Sequence, residues 1–220
     1  MVELITGLRA DEVRANLEHV RSEVAAAGRD PETVQILAAV KYIPVEELGV
    51  LAEAGLTLLG ENRAQDLIAK ADAYPETFSW DFIGHLQSRK VRQILPYVRY
   101  LESVASESAL EQLRRHGTPS TQVLVEVNMA GEEGKSGIAP EELPAFLERC
   151  PVKVVGLMTM PPLAPEPEAS RRHFAALREL AAEHELPQLS MGTSQDYLVA
   201  VQEGATIVRL GSSLYRSSAS

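Results

Sequence analysis

The order of segments along the chain constrains its fold more than any other feature of the sequence. Short apolar runs rich in β-branched residues alternate with longer stretches that have the periodicity of amphipathic helices. This alternation predicts repeated units in which a helix connects two parallel strands. We predict eight strands, at residues 34–40, 57–60, 80–84, 98–103, 121–128, 152–158, 187–191 and 206–210.

One helix precedes the first predicted strand, and the others lie between strands. The first helix has an apolar face formed by Val13, Leu17, Val20 and Val24. Gly28 and Pro31 follow it and are typical of a helix end. Further helices are predicted near 45–54, 62–73, 87–94, 106–116, 141–149, 167–185 and 195–203, with Ser106 as an N-cap and Gly55, Gly117 and Gly204 after helix ends.

Eight such units favour a closed (β/α)8 TIM barrel with an extra N-terminal helix. The 220 residues suffice for one hydrophobic core, so we predict a single domain over residues 1–220. An open, doubly wound sheet is the main alternative, because the same alternation permits it. That fold needs no eighth strand and usually has a glycine-rich phosphate turn after the first strand, where this chain has Lys41.

The composition argues against nucleic acid and membranes as partners. The net charge is −10 at pH 7, the pI is about 5.1, and lysine and arginine are spread along the sequence. The N-terminal sequence never forms the apolar stretch of a signal peptide or membrane helix, so we predict a cytoplasmic protein. Cys150 is the single cysteine and is expected to be buried or half-buried; no Cys/His cluster has metal-ligand spacing.

Polar residues are concentrated where the predicted strands end. In barrels of this architecture the functional site is built at the carboxyl ends of the strands, so these positions are the candidates for chemistry. They are Lys41, Glu61, Asn62, His85, Ser103, Asn128, Met158, Thr159, the run 191–194 and the run 211–213.

Lys41 directly follows an apolar run and is the candidate nucleophile. Held at the mouth of a dry barrel, a lysine tends to lose its proton, because desolvation disfavours the ammonium form. A neutral amine is the form that attacks an aldehyde to give a Schiff base. The alternative is a lysine that extends to the rim and pairs with a carboxylate such as Glu61.

Two loops have the composition of a phosphate site. Gly192, Thr193 and Ser194 precede a predicted helix after the seventh strand, and residues 211–213 follow the eighth. Barrels of this type commonly bind phosphate there, through backbone N–H groups and small hydroxyl side chains. Ordinary helix capping, with Ser194 as the N-cap, is the alternative for one loop. Two such loops on adjacent strands favour phosphate.

Arg209 lies inside a strand that should be buried, so its guanidinium requires a specific acceptor. A carboxylate within the barrel is one possibility. An aromatic ring nitrogen of a bound ligand is the other, and an arginine donor would keep that nitrogen unprotonated.

The loop at 129–140 is long and rich in glycine, which makes it a candidate lid over the barrel mouth. A plain surface connection is the alternative.

Seven ordered blocks resemble a known family nearly end to end. They are AVKYIP around Lys41, GENRAQD at 60–66, FIGHLQSRK at 82–90, VEVNMAGEEGKSG at 125–137, GLMTM at 156–160, SMGTSQD at 190–196 and VRLG at 208–211. With these blocks the chain resembles the pyridoxal phosphate homeostasis proteins, a single-barrel group related to the cofactor-binding domain of alanine racemase.

The resemblance implies pyridoxal 5′-phosphate (PLP) as cofactor and a role for six residues. Lys41 would form the imine, Asn62 would lie near the cofactor ring, and Arg209 would face the pyridine nitrogen. The phosphate would be held by Ser194, Gly211 and Ser212. The chain departs from the family at Thr193, where methionine is usual, and in the segment SSLYR after the last strand, where a small residue and then Phe-Gly are common. Lys135 fits the family pattern without an assigned role.

The resemblance implies a carrier of PLP in intracellular homeostasis rather than a dedicated enzyme. The expected partners are PLP and PLP-dependent apoenzymes, and the expected state is a monomer. A PLP-dependent amino acid racemase of weak activity is the first alternative, for which a second acid among Tyr42, Tyr197 and Tyr215 would be needed. A lysine-imine aldolase is a more distant alternative, since such enzymes generally carry the lysine on a later strand.

Overall fold

The computed structural model describes residues 4–216, and within them the sheet closes on itself. Eight parallel strands follow one another around the barrel in chain order, and the last pairs with the first. The strands are β1 (Gln35–Ala39), β2 (Leu58–Glu61), β3 (Ser79–Phe82), β4 (Tyr100–Val104), β5 (Gln122–Glu126), β6 (Lys153–Met158), β7 (Gln188–Thr193) and β8 (Ile207–Leu210). The predicted (β/α)8 barrel is confirmed, and closure excludes the open doubly wound sheet.

Helices surround the barrel at the predicted places. They are α1 (Ala10–Ala26), α2 (Leu48–Glu53), α3 (Ala64–Ala73), α4 (Val91–Ile94), α5 (Glu107–His116), α6 (Leu143–Arg149), α7 (Arg171–Glu183), α8 (Tyr197–Gln202) and α9 (Ser212–Tyr215). Four begin later than predicted, because 3-10 turns at Val45–Glu47, Ser88–Lys90, Pro140–Glu142 and Pro167–Ser170 replace their first residues. The short helix α9 was not predicted.

Two helices end in the same way before a strand. Gly55 follows α2 with φ +92°, and Gly204 follows α8 with φ +97°. This left-handed conformation strains other residues, so glycine allows each helix to turn directly into β2 or β8. At the start of α5, Ser106 Oγ accepts a hydrogen bond from Ala109 N at 3.2 Å, which confirms the predicted N-cap.

The barrel encloses two fully buried carboxyl groups, Asp81 on β3 and Glu102 on β4. Arg99 donates to both oxygens of Asp81, at 3.1 and 2.5 Å, and Ser190 Oγ donates to Glu102 Oε2 at 2.5 Å. Burial and the adjacent charge of Asp81 raise the pKa of Glu102 to about 8. Burial also raises the pKa of Asp81. Glu102 is therefore protonated at neutral pH and can share its proton with Asp81.

A second buried ion pair ties the first two strands to α3. Lys70 Nζ donates to Glu61 Oε1 at 2.5 Å and to the carbonyl oxygen of Val40 at 2.7 Å. Glu61 Oε2 accepts from the backbone N–H groups of Asn62 at 2.6 Å and Arg63 at 3.2 Å. One lysine thus fixes the chain immediately after β1 and at the last residue of β2.

The prediction of one domain over 1–220 extends at both ends beyond the described residues and stays a prediction, as does the interpretation of the N-terminal sequence. Between residues 4 and 216, no helix combines the length and the apolar character needed to cross a membrane.

Lys70→Met should destabilise the protein, because it leaves Glu61 buried without its charged partner. We expect the free energy of unfolding to drop by about 3 kcal/mol. Urea denaturation measures the change, with Lys153→Met as control, since Lys153 is exposed at the start of β6. A Lys70→Met variant as stable as Lys153→Met would contradict the role assigned to this ion pair.

The stability of the folded protein should decrease as pH rises from about 5 to about 8. Folded Glu102 keeps its proton up to about pH 8, whereas the unfolded chain releases it near 4.5, so rising pH favours unfolding over this interval. Glu102→Gln preserves the shape without ionising and should remove a decrease on the order of 3 kcal/mol. Urea unfolding across this pH range tests the prediction, and parallel pH profiles for variant and wild type would contradict it.

Candidate functional site

A cavity of about 480 Å³ lies at the carboxyl end of the barrel, a volume typical of small-molecule sites. We call it the mouth cavity. All six site residues predicted from the sequence line it, although β1, β2, β7 and β8 are distant in the chain. The lining residues are Ile5, Ala39, Lys41, Tyr42, Gly60, Asn62, Ile83, Gly84, Met160, Thr193, Ser194, Gln195, Arg209, Gly211, Ser212 and Tyr215.

Lys41 lies at the rim of the mouth cavity and not in a dry interior. Strand β1 ends at Ala39, two residues earlier than the lysine, and the Lys41 side chain is exposed. Its Nζ lies 4.5 Å from the centre of the Tyr42 ring. The expectation of a desolvated lysine is therefore wrong for this structure, because β1 ends before Lys41 and the lysine lies in an exposed turn. The alternative pairing with Glu61 is also wrong, since that carboxylate is bound to Lys70.

Asn62 and Tyr215 bring unsatisfied polar atoms to the cavity wall. Among the described residues, neither Asn62 Oδ1 nor the Tyr215 hydroxyl has a hydrogen-bond partner, although both atoms are buried. Such groups are costly unless a ligand or water satisfies them. Gly84 allows the close approach of Asn62, because a Cβ there would lie 2.1 Å from the Asn62 carbonyl oxygen.

The loops after β7 and β8 meet at Ser194. Its Oγ accepts hydrogen bonds from the backbone N–H groups of Gly211 and Ser213, both at 3.1 Å. Ser194 is not a helix N-cap, because α8 begins at Tyr197 and Asp196 precedes it. The capping alternative is therefore wrong. Two backbone donors converge here on one oxygen, as they would on an oxygen of an anion.

Gly211 leaves room on the cavity side of the same loop. Where a Cβ would be built, the nearest atom of the protein outside its chain neighbours is the carbonyl oxygen of Ala39, at 3.9 Å. None of the described residues is close enough to exclude a Cβ at this position. The open space belongs to the wall of the mouth cavity, where a ligand can approach the backbone.

Arg209 is buried at the inner wall of the mouth cavity and is held from three sides. Its guanidinium donates to Ser190 Oγ at 2.6 Å, to the Thr159 carbonyl oxygen at 2.8 Å and to Met160 Sδ at 2.8 Å. Glu102 Oε2 lies 4.0 Å from Nη1. Burial lowers the pKa of Arg209, while the carboxylates of Glu102, Glu126 and Asp196 act to raise it. The acidic partner expected from the sequence is Glu102, yet the guanidinium still borders the cavity.

The predicted strand-end residues that do not line the mouth cavity are Glu61, His85, Ser103, Asn128, Met158, Thr159, Met191, Gly192 and Ser213. Ser103 is buried and donates to the Gly84 carbonyl oxygen at 2.5 Å. His85 is exposed, with Nδ1 at 3.2 Å from Ser136 Oγ. Asn128 bonds to the backbone of Glu132 through both its Nδ2 and its Oδ1, at 2.8 and 3.3 Å. These side chains shape the loops around the site.

Glu126 was missed by the sequence analysis. It ends β5, two residues before the predicted strand end, and lines a neighbouring cavity of about 340 Å³ together with Arg209. Burial raises the pKa of Glu126, while the charges of Arg209 and His85 act to lower it. A correct prediction of the end of β5 would have placed Glu126 at the carboxyl end of a strand and so among the site candidates.

The loop at 129–140 is anchored at both ends, because Val127 forms a parallel bridge with Ile138. Within it, Lys135 lies 3.3 Å from Glu132. Its action as a lid stays a prediction. Cys150 is half-buried, as expected, and burial raises the pKa of its thiol.

The arrangement suits a small aromatic anion that carries an aldehyde. Backbone donors around Ser194 can hold an anionic group at one side, and Arg209 offers a donor at the inner wall. Ile83, Met160 and the glycine surfaces supply apolar contact between them. The exposed amine of Lys41 lies at the rim, where it can reach an incoming carbonyl carbon.

Comparison with known proteins gives a consistent family. The family model described as the alanine racemase N-terminal domain matches residues 8–219. The pyridoxal phosphate homeostasis protein of Aquifex aeolicus is 38% identical over 213 residues, covering 90% of this chain and 93% of the relative. That of Pseudomonas aeruginosa is 38% identical over 216 residues, covering 94% of each.

A solved structure of PipY from Synechococcus elongatus, with PLP bound, shares the fold. It has 30% sequence identity and a TM-score of 0.79, covering 93% of this chain and 100% of that one. The barrel, the match to the family model and the identity to curated relatives agree. This chain therefore belongs to the pyridoxal phosphate homeostasis protein family, whose barrel is that of the alanine racemase N-terminal domain.

Proposed function

We propose that this protein binds PLP in the mouth cavity, carries it as an imine on Lys41 and serves intracellular PLP homeostasis. The observation that carries the proposal is the meeting of Lys41, Asn62, Ser194, Arg209, Gly211 and Ser212 around one cavity. The PLP bound to PipY and the names of the curated relatives support it. The proposal includes a cytoplasmic, single-domain monomer that passes the cofactor to PLP-dependent apoenzymes.

The proposed binding site for the PLP phosphate is formed by the loops after β7 and β8. The N–H groups that now donate to Ser194 Oγ can donate to a phosphate oxygen instead, and the Ser194 hydroxyl can donate its own hydrogen to the same anion. Ser212, exposed at the first position of α9, offers a second hydroxyl. The proposed phosphate ligands thus lie together after β7 and β8.

The proposed contacts with the PLP ring are made by Arg209 and Asn62. When bound, PLP supplies a reactive aldehyde and an aromatic ring that accepts electrons. Arg209 is a donor on a buried wall, so a pyridine nitrogen facing it would stay unprotonated and the ring would be a weak electron sink. The unsatisfied Oδ1 of Asn62 can accept from a polar substituent of the ring. These features favour a carrier over a carbanion-forming enzyme.

The exposure of Lys41 also favours reversible carriage. A lysine at the rim can be reached by a cofactor entering from solvent and by water when it leaves. The aromatic ring of Tyr42, 4.5 Å from Nζ, limits the directions in which the amine extends.

A weak amino acid racemase is the second candidate. Two-base chemistry requires an acid on the face opposite the lysine, and Tyr42 and Tyr215 both line the mouth cavity. Tyr197 does not suit this role, because its hydroxyl donates to Glu23 outside the cavity. Exchange of the α-hydrogen of alanine into deuterated water tests this candidate, and no exchange above that of Lys41→Ala would exclude it.

Lys41→Ala should abolish the imine absorbance band of protein incubated with PLP, because no other lysine lines the mouth cavity among the residues described. Lys153→Ala removes an exposed lysine at the opposite end of the barrel and should keep the band. Circular dichroism should show the same fold for both variants. An undiminished band in Lys41→Ala would overturn the assignment of the imine.

Ser194→Ala should weaken PLP binding about tenfold, because it removes a hydroxyl donor to the phosphate. Ser79→Ala is the control, since Ser79 is exposed at the start of β3, at the opposite end of the barrel, and does not line the mouth cavity. Equilibrium dialysis gives the two dissociation constants. Equal losses in both variants would argue against a phosphate site at Ser194.

A further inference from the structure

A chain of neighbouring polar side chains crosses the barrel interior beneath the mouth cavity. It runs from Arg99, through Asp81, Glu102 and Ser190, to Arg209, and joins residues from four strands and the segment before β4. Its last member lines the mouth cavity and its first lines a separate cavity at the other end of the barrel. The site described above uses only Arg209.

Glu102 is the unexplained member of this chain. It is fully buried, and its Oε1 has no hydrogen-bond partner among the described residues. The charge of the neighbouring Asp81 acts on it and disfavours its ionisation. Apolar residues would fill this volume at lower cost in stability than a buried pair of acids. Its Oε2 accepts from Ser190 Oγ, the group that accepts from Arg209.

We propose that Glu102 and Ser190 are positioning residues for Arg209, and that ionisation of Glu102, whose Oε2 lies 4.0 Å from Arg209, makes the affinity of the mouth cavity for a pyridine phosphate depend on pH. The proposal rests on the function proposed above, to which it adds a control of cofactor affinity.

The direction of the effect follows from charge. With Glu102 protonated, the positive charge of Arg209 is partly uncompensated and attracts an anionic ligand. When Glu102 ionises, its carboxylate lies 4.0 Å from Arg209 and repels the ligand. Affinity should therefore fall as pH rises through the ionisation of Glu102.

The other charged groups around the chain do not remove this effect. Asp81 faces Glu102 from β3 and is paired with Arg99. Glu126 from β5 and Asp196 after β7 face Arg209, and His85 faces Glu126. Burial, and after it the charge of Asp81, opposes the ionisation of Glu102 and raises its pKa to about 8.

Pyridoxine 5′-phosphate is the probe, because it carries an alcohol in place of the aldehyde and cannot form an imine with Lys41. Its dissociation constant is measured by calorimetry from about pH 6.5 to about pH 9.5 for wild type and Glu102→Gln. The titration of the probe itself is common to both proteins, so the ratio of the two constants isolates Glu102.

The constants should agree at the acidic end, and wild type should bind about fivefold more weakly than Glu102→Gln at the alkaline end. Asp81→Asn should move this loss of affinity to lower pH, because Glu102 loses its negative neighbour. Ser190→Ala should weaken binding at every pH, and the loss of affinity with rising pH should remain. Parallel profiles for wild type, Glu102→Gln and Asp81→Asn would overturn the proposal.

The outcomes separate this proposal from the proposed function. Parallel profiles together with a PLP imine on Lys41 would contradict the role of Glu102 alone. Absence of the imine would contradict the proposed function, whatever the profiles show. Circular dichroism of each variant verifies folding, and Ser190→Ala and Asp81→Asn keep the proposal testable if Glu102→Gln does not fold.

Discussion

The pairing of the first strand with the last is the constraint on which the site depends. In the β1 to β8 ladder, Leu37 lies opposite Arg209 and Ala38 opposite Leu210. This register brings the turn that carries Lys41 beside the loop that begins at Gly211. Without closure these segments, about 170 residues apart in the chain, would lie at opposite edges of an open sheet.

Buried charges then fix the residues that closure brings together. Lys70 holds both Glu61 and the carbonyl oxygen of Val40, and so sets the chain on either side of the cavity rim. Arg209 is held through Ser190 to Glu102 in the interior. Buried ionisable groups rarely improve stability over apolar packing, so their value here is the position they give to polar groups at the mouth.

The sequence predicted the architecture well and the local state of the site residues poorly. Strand bounds were predicted to within two residues, because β-branched runs and glycine-ended helices are local signals that Gly55 and Gly204 illustrate. The exposure of Lys41 depends on the turn that follows β1. The contacts of Ser194 depend on the loop that follows β8. Glu102 was overlooked because its partners, Asp81, Ser190 and Arg209, are distant in the chain and it sits within a strand. Periodicity carries no information about such contacts.

The central claim is that Lys41 carries PLP in the mouth cavity. Borohydride reduction of the wild-type protein incubated with PLP, followed by mass spectrometry of its peptides, tests it most directly. The account predicts one major phosphopyridoxyl group, on the peptide that contains Lys41. A protein that takes up no PLP, or a label spread over surface lysines with none enriched at Lys41, would contradict it.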